Sequence, residues 1–363
     1  MSARARILPV FVPQLGCPHQ CVFCNQRRIS GAQQPVRAGD VRELLENAAF
    51  LPKGEKRQLA FYGGSFTAIP VSRQEELLGA AQPYLQSGVI DCIRLSTRPD
   101  AIDDETLERL SRFGVETIEL GAQSMDDAVL RISGRGHSAG DVARASGLIR
   151  ARGFRLILQM MTGLPGSDFE TDVETARRLA ALRPDGVRVY PTVIVRDTPL
   201  FALWQAGQYR EHSVEDAVAV CASILPVFEA AGIPVIRLGL NPTEELTAGA
   251  AVGGAYHPAL GELVKSRVLR NEAEALLIGA APGESVTLAV KPGLRSQMTG
   301  QHRANLLWLQ QRFALREVRV AEQEQPERVR VVQEKVPSLR EHSDAREARD
   351  DPSLLSSAQS AGD

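Results

Sequence analysis

"ILPVFVPQLGCPHQCVFCNQ", residues 7–26, is the stretch on which the reading of this chain turns. Its first seven residues are apolar and rich in branched side chains, as in a β-strand covered on both faces. Three cysteines follow as Cys17-x3-Cys21-x2-Cys24, in a chain of 363 residues that holds only five. On a helix these positions would share one face and could simply be packed in the core. Gly16, Pro18 and the polar His19, Gln20, Asn25 and Gln26 instead mark a loop leaving the end of the strand. A structural zinc ion takes four nitrogen or sulfur donors, commonly from paired knuckles. Cys21 and Cys24 make one knuckle and His19 is a further donor, but there is no second knuckle. Cys92 and Cys221 stand alone on a β-rich run and a helical run, and both read as core. Three thiolates on a loop suit a [4Fe–4S] cluster with one iron free of protein, whereas a purely structural cluster normally has four.

Outward from this loop the chain alternates. β-rich runs at 7–13, 58–63, 90–97, 115–121, 154–163 and 186–194 are separated by amphipathic helical stretches such as "AGDVRELLENAAFL", "DDETLERLSRFG" and "SAGDVARASGLIRARG". Several of those stretches open on Ser or Asp, residues that cap helix N-termini. The alternation predicts right-handed βαβ units on a parallel sheet, an α/β fold. Six units in series predict a partial (β/α)6 TIM-like barrel rather than a closed eightfold one. After residue 195 the pattern predicts helices over 199–206 and 213–231 and a strand over 233–240. A glycine-rich loop within 249–266 leads into a further helix. "SVTLAVKPG", "HRANLLWLQQRFA" and "REVRVAEQ" then predict strand, helix and strand, a small α+β extension. The expected organisation is a barrel over 1–240, a C-terminal α+β segment over 241–335 that can serve as a lid, and a disordered tail over 336–363. That tail is rich in Ser, Asp, Glu, Arg and Ala with scarcely any large apolar side chain.

The totals set outer bounds. Hydrophobic residues make up 44% and charged residues 24%, ordinary for a soluble globular protein. No run of about 18 apolar residues exists, which argues against a membrane span. The N-terminus lacks the pattern of a signal peptide, so a cytoplasmic location is expected, where clustered cysteines bind metal more often than they pair. The formal charge is −2. Its excess of acid falls in the last 43 residues, leaving a weakly positive body that permits a nucleic-acid partner without requiring one.

The pattern C-x3-C-x-aromatic-C, with Phe23 before its last cysteine, resembles the radical S-adenosylmethionine superfamily. "YGGSFT" (62–67), "STRPD" (96–100), "ELGAQSMDDAVLRISGRGH" (119–137) and "QMMTGLPG" (159–166) extend the likeness. Together they resemble the radical domain of the Elongator catalytic subunit and, more distantly, the oxygen-independent coproporphyrinogen oxidases, over roughly residues 7–260. The resemblance implies that Cys17, Cys21 and Cys24 hold the cluster and that S-adenosylmethionine occupies its open iron. It further implies a cofactor site made by Phe23, Gly63, Gly64, Ser65, Ser96, Gln123, Arg135 and Gln159. Gly63 and Gly64 would receive the methionine amine, Gln123 would face the ribose, and Arg135 would pair with the methionine carboxylate. Ser96 stands where relatives have glutamate, and Gln159 where the coproporphyrinogen oxidases have aspartate. Tyr190, ending the sixth β-rich run, would face the barrel mouth near the adenine or the substrate, while Arg237 and His257 match family positions without an assigned role.

The chemistry implied is reductive cleavage of S-adenosylmethionine to a 5′-deoxyadenosyl radical that removes hydrogen from a substrate. An external one-electron donor of flavodoxin or ferredoxin type is then required. The substrate stays open among tRNA, a porphyrin and another small molecule. With the globular part expected to end near 335, an acetyltransferase domain like that of Elongator-type enzymes is not expected within these residues. Gln26 replaces a further cysteine of the coproporphyrinogen oxidases, which weighs against a haem-pathway role. A reading of another class, a non-catalytic iron–sulfur RNA-binding or assembly factor, has no use for the motif around Arg135.

Overall fold

In chain order the strands are β1 Arg6–Phe11, β2 Arg57–Tyr62, β3 Cys92–Thr97, β4 Val115–Gln123, β5 Arg155–Thr162 and β6 Gly186–Pro191. They continue as β7 Val193–Val195, β8 Val235–Leu238, β9 Ala251–Gly254, β10 Ser285–Val290, β11 Glu317–Glu322 and β12 Val329–Val332. The computed structural model describes residues 6–12, 17, 19–30, 34–50, 55–241 and 246–332. The expected tail at 336–363 lies outside them.

Seven strands form one parallel sheet in the order β1-β2-β3-β4-β5-β6-β8, a curled half-barrel with β1 and β8 as its two edges. Helices cover its outer face, and the core lies between them and the outward-facing strand residues. Leu59, Phe61, Ile93, Leu95, Ile118, Leu120, Leu156 and Leu158 all fall in this core, against helix residues such as Leu77, Leu107, Ile149 and Phe228. Several helices start where capping residues stand. Asp103 accepts from Thr106 N, Ser138 and Asp141 cap each other's backbone, and Asp168 accepts from Thr171 N. The isolated cysteines, Cys92 in β3 and Cys221 in helix Val214–Ala230, are both buried.

Three features depart from the sequence pattern. The run at 186–194 is two strands: β6 stays in the parallel sheet, and β7 turns out of it to pair antiparallel with β9. β9 lies in the stretch expected to be a loop, and β12 was not expected. Both are short, and their pairing partners are distant in the chain, so local periodicity carries little of the signal.

The C-terminal sheet has the order β11-β10-β12, with β10 parallel to β11 and antiparallel to β12. Leu288, Val290, Met298, Leu309 and Val318 give it a core of its own. Helix Leu260–Leu276 ties the two cores together, since Val264 and Val268 pack into the first and Leu269 and Ala273 into the second. Among the described residues no helix is long and apolar enough to cross a membrane.

One buried acid links this packing to pH. Asp172, 4% exposed on helix Phe169–Ala181, accepts from Gly163 N at 2.8 Å, and burial pushes its carboxyl up to about 7. A folded-state value above the unfolded one gives stability that is fully present below about pH 4 and lost as pH rises through about 7. Asp172→Asn should therefore flatten the fall in stability between pH 4 and 7, read as the urea midpoint against pH. An unchanged slope would show that another group governs it.

Candidate active site

The C-terminal ends of the barrel strands open on a cavity of about 880 Å³. That is within the range of about 300–1,000 Å³ usual for small-molecule sites. Cys17, Cys21, Phe23 and Cys24 line it from the first loop, and Gly63, Gly64 and Ser65 from the turn after β2. Ser96 of β3, Gln123 of β4, Gln159 of β5, Tyr190 of β6 and Arg135 complete the wall. Every residue placed in the cofactor site by sequence resemblance thus borders this one space. Arg237 and His257 do not: Arg237 Nε donates to Gly239 O at 3.0 Å, and His257 Nδ1 accepts from Ala259 N at 3.1 Å.

The cysteine loop is held by its neighbours' backbone. Val22 N donates to Ser133 O at 3.1 Å, Leu200 N donates to Val22 O at 2.8 Å, and Cys24 N closes a turn on Cys21 O at 3.1 Å. Gly136, at φ +70°, lies under the His19 ring, where a Cβ would come within 2.1 Å of the imidazole. Only glycine meets both demands. Phe23 anchors the loop from the other side, in the apolar cluster of Ile194, Leu200 and Tyr209.

Each sulfur has one polar neighbour, from three different segments. Arg135 Nη1 donates to Cys21 Sγ at 3.2 Å, Gln26 Nε2 donates to Cys24 Sγ at 3.4 Å, and Ser65 Oγ lies 3.5 Å from Cys17 Sγ. Burial, and then the adjacent Cys21, pushes the Cys24 thiol up to about 12. Such a thiol gives up its proton only to a strong positive charge, as metal binding supplies. Among the described residues no three His, Cys, Asp or Glu side chains converge on a point that a single ion could occupy. Three thiols facing one cavity, each with an N–H or O–H group beside it, match the donors and outer hydrogen bonds of an iron–sulfur cluster.

Other wall groups are poised and incompletely paired. Gln123 adopts φ +67° at a bulge where the β4–β5 register shifts, and its Oε1 is buried without a partner. Arg135 spends its fork on Cys21 Sγ and on Gly121 O at 2.6 Å, leaving its buried Nε without a hydrogen bond. Arg98, 2% exposed, holds Arg135 by donating to its carbonyl at 2.6 Å while its Nε donates to Asp100 at 2.5 Å. His137 sits 3.2 Å from Ala122 O, and burial, with Arg135 nearby, lowers its value to about 4, so it is neutral near pH 7.

Below these lies a charged floor that motif reading missed. Glu119 of β4, with no exposed surface, meets Arg94 of β3 and Arg188 of β6, each at 2.8 Å. Tyr62 Oη and Gln159 Nε2 each donate to it at 2.9 Å. The missing signal was present as polar residues inside apolar strands, at period two in Arg94 and Ser96 and in Arg188 and Tyr190, and singly in Glu119. Glu119→Ala should destabilise the fold by about 3–5 kcal/mol, because it leaves two guanidinium groups buried without their carboxylate. Urea denaturation checks this, and a loss below about 1 kcal/mol would mean that water replaces the carboxylate.

Comparison with known proteins places this geometry. The Radical SAM superfamily profile matches residues 11–179, and the Radical_SAM C-terminal domain profile matches residues 184–270. The tRNA uridine(34) acetyltransferase of Methanocaldococcus infernus is 27% identical over 302 residues, 71% of this chain and 55% of that protein. Human Elongator complex protein 3 is 30% identical over 234 residues, 59% of this chain and 42% of that protein. The chain thus spans about half the length of these curated relatives. The solved structure of the M. infernus archaeal Elp3 lacking its N-terminus superposes with a TM-score of 0.58 at 21% identity, covering 75% of this chain and 64% of that one. That likeness concerns the fold alone. Two adjoining family profiles, and three cysteines on the rim of a parallel half-barrel, lead to one conclusion: this chain belongs to the radical SAM superfamily of enzymes.

Proposed function

We propose that the chain holds a [4Fe–4S] cluster through Cys17, Cys21 and Cys24 and cleaves S-adenosylmethionine reductively in the cavity. The observation that carries this reading is the convergence of the three cysteines with Gly63, Gly64, Ser65, Gln123, Arg135 and Gln159 on one space. When bound, the cluster and S-adenosylmethionine supply one-electron cleavage of the sulfonium and a hydrogen-abstracting adenosyl radical.

The chain's own residues do the placing. Ser65, Gln26 and Arg135 sit beside the sulfurs, where N–H and O–H groups stabilise negative charge on thiolates. Arg135 also brings a guanidinium to the cavity, a donor suited to a carboxylate. Gln123 Oε1, an acceptor without a partner, suits a hydroxyl or ammonium donor. Gln159 donates its amide N–H to Glu119, which leaves its carbonyl oxygen for a ligand hydroxyl. Ser96 Oγ is 3.4 Å from Phe61 O, so its hydroxyl can turn either to the backbone or to the cavity.

Enclosure comes from the ribbon of β7 and β9. Val193 and Val195 line the cavity, and Leu246 and Ala250 pack behind them with Ile29. We assign shielding of the site from water to this ribbon, to which the segment 241–335 contributes β9, with the barrel proper ending near residue 240. An external flavodoxin- or ferredoxin-type protein would supply the electron, in the cytoplasm. For the substrate, the name of the M. infernus relative favours tRNA over a porphyrin.

Anaerobic reconstitution with iron and sulfide, followed by reduction in the presence of S-adenosylmethionine, tests the reading. Expected are the broad absorbance of a [4Fe–4S] cluster and formation of 5′-deoxyadenosine; a stable cluster that never yields the nucleoside would refute it. Cys21→Ala should abolish the cluster absorbance, since two thiolates cannot hold three irons. Arg135→Lys should keep the cluster while weakening S-adenosylmethionine binding by about tenfold, as expected for loss of a charge-assisted hydrogen bond. Comparing the RNA nucleosides of deletion and parent cells tests the substrate, with loss of one modified nucleoside expected.

A further inference from the structure

Beyond residue 270, where both family profiles have ended, the chain builds a separate charged feature. Between β10 and β11 lie helices Arg295–Thr299 and Ala304–Arg312, joined by the loop Gly300-Gln301-His302-Arg303. Gly300, His302 and Arg303 have φ of +74°, +50° and +64°. Left-handed backbone is uncommon for His and Arg, and it persists only where surrounding structure enforces it. Here the enforcement is visible. Asn305, buried at the start of the second helix, donates through Nδ2 to Ser266 O at 3.1 Å, Ser266 Oγ at 2.9 Å and Gln297 O at 3.1 Å. The loop is thereby fixed to helix Leu260–Leu276, and its side chains are presented outward.

The charge at this corner is unbalanced. From residue 283 to 319 the chain carries six lysines and arginines against two glutamates. Arg312 pairs with Glu274, and Arg319 with Glu317. The exposed side chains of Arg295, His302 and Arg303 make no hydrogen bond or ion pair among the described residues, although Glu317 lies close enough to Arg303 to feel its charge. Leu307, in the first turn of the helix that follows, is half exposed.

We propose that this loop grips the sugar–phosphate backbone of single-stranded RNA, with Arg295, His302 and Arg303 against phosphates and Leu307 beneath a base. KH modules clamp about four nucleotides of backbone with a four-residue loop that has glycine at both ends, and the loop here shares its length and its first glycine. Arginine in the fourth loop position adds a charge to that scheme. A compact basic loop beside one apolar side chain suits an unstacked strand, whose bases are free, better than a duplex that presents only its grooves. The inference stands on the C-terminal unit alone and does not depend on the assignment of the barrel cavity.

The test is fluorescence anisotropy of the reconstituted full chain with a fluorescein-labelled oligouridine of about ten nucleotides, at about 50 to 200 mM salt. The wild type should bind, and the double variant His302→Ala, Arg303→Glu should bind at least tenfold more weakly, with a salt slope reduced by about one. Its melting temperature, cluster absorbance and 5′-deoxyadenosine formation without RNA should match the wild type. Arg303→Lys should restore most of the affinity. No wild-type binding, equal binding by the double variant, or tighter binding of a duplex of the same length would overturn the proposal. Displacement by polyglutamate but not by unlabelled oligouridine would also overturn it, assigning the surface to an acidic protein. Failure of this binding would leave the radical chemistry untouched, and the reverse holds too.

Discussion

A carboxylate without any exposed surface, Glu119, sits among two guanidinium groups, a phenol and an amide drawn from β2, β3, β5 and β6. Five adjacent strands thus meet at one charge. Removing ions from water is costly unless geometry and hydrogen bonds compensate, so these strands must hold one register and one curl. A slip of one residue along any strand would turn its member of the set outward and leave the rest unpaired. The same alternation that points Arg94, Glu119 and Arg188 inward also points Ser96, Gly121 and Tyr190 inward, two residues nearer the rim. The floor of the cavity and its wall are therefore one construction.

Above that floor, Arg135 connects the barrel to the cysteine loop. Its side chain reaches Cys21 Sγ and Gly121 O, and its backbone carbonyl is held by the buried Arg98. The residues around it, from Ser133 to Gly136, also carry the loop itself, through the bond from Val22 N and the space left for His19. The segment thus touches both a candidate sulfur ligand and a candidate cofactor contact. The β7–β9 ribbon follows β6 directly, and Val193 and Val195 of β7 line the cavity.

The C-terminal sheet has its own small core and borrows one face of helix Leu260–Leu276, whose other face belongs to the barrel. Asn305 bonds to that same helix, so the orientation of the basic loop is set relative to the barrel rather than left free. A chain anchored at the loop would then be presented in a defined direction relative to the rest of the molecule.

Much of this was legible in the amino-acid sequence. Each parallel strand of the barrel announced itself as an apolar run between amphipathic helices, because burial on both faces and a 3.6-residue stripe leave strong local patterns. The helix starts at Asp103, Ser138 and Asp168 were equally plain, since capping is satisfied within three residues. Cys17, Cys21 and Cys24 stood out through their spacing on a loop that leaves the first strand. Tertiary structure decided the rest. The pairing of β7 with β9, the meeting of Glu119 with Arg94 and Arg188, and the contact of Arg135 with Cys21 join residues distant in the chain. Local propensity responds only to near neighbours, and a buried charge finds its partners only when the sheet curls.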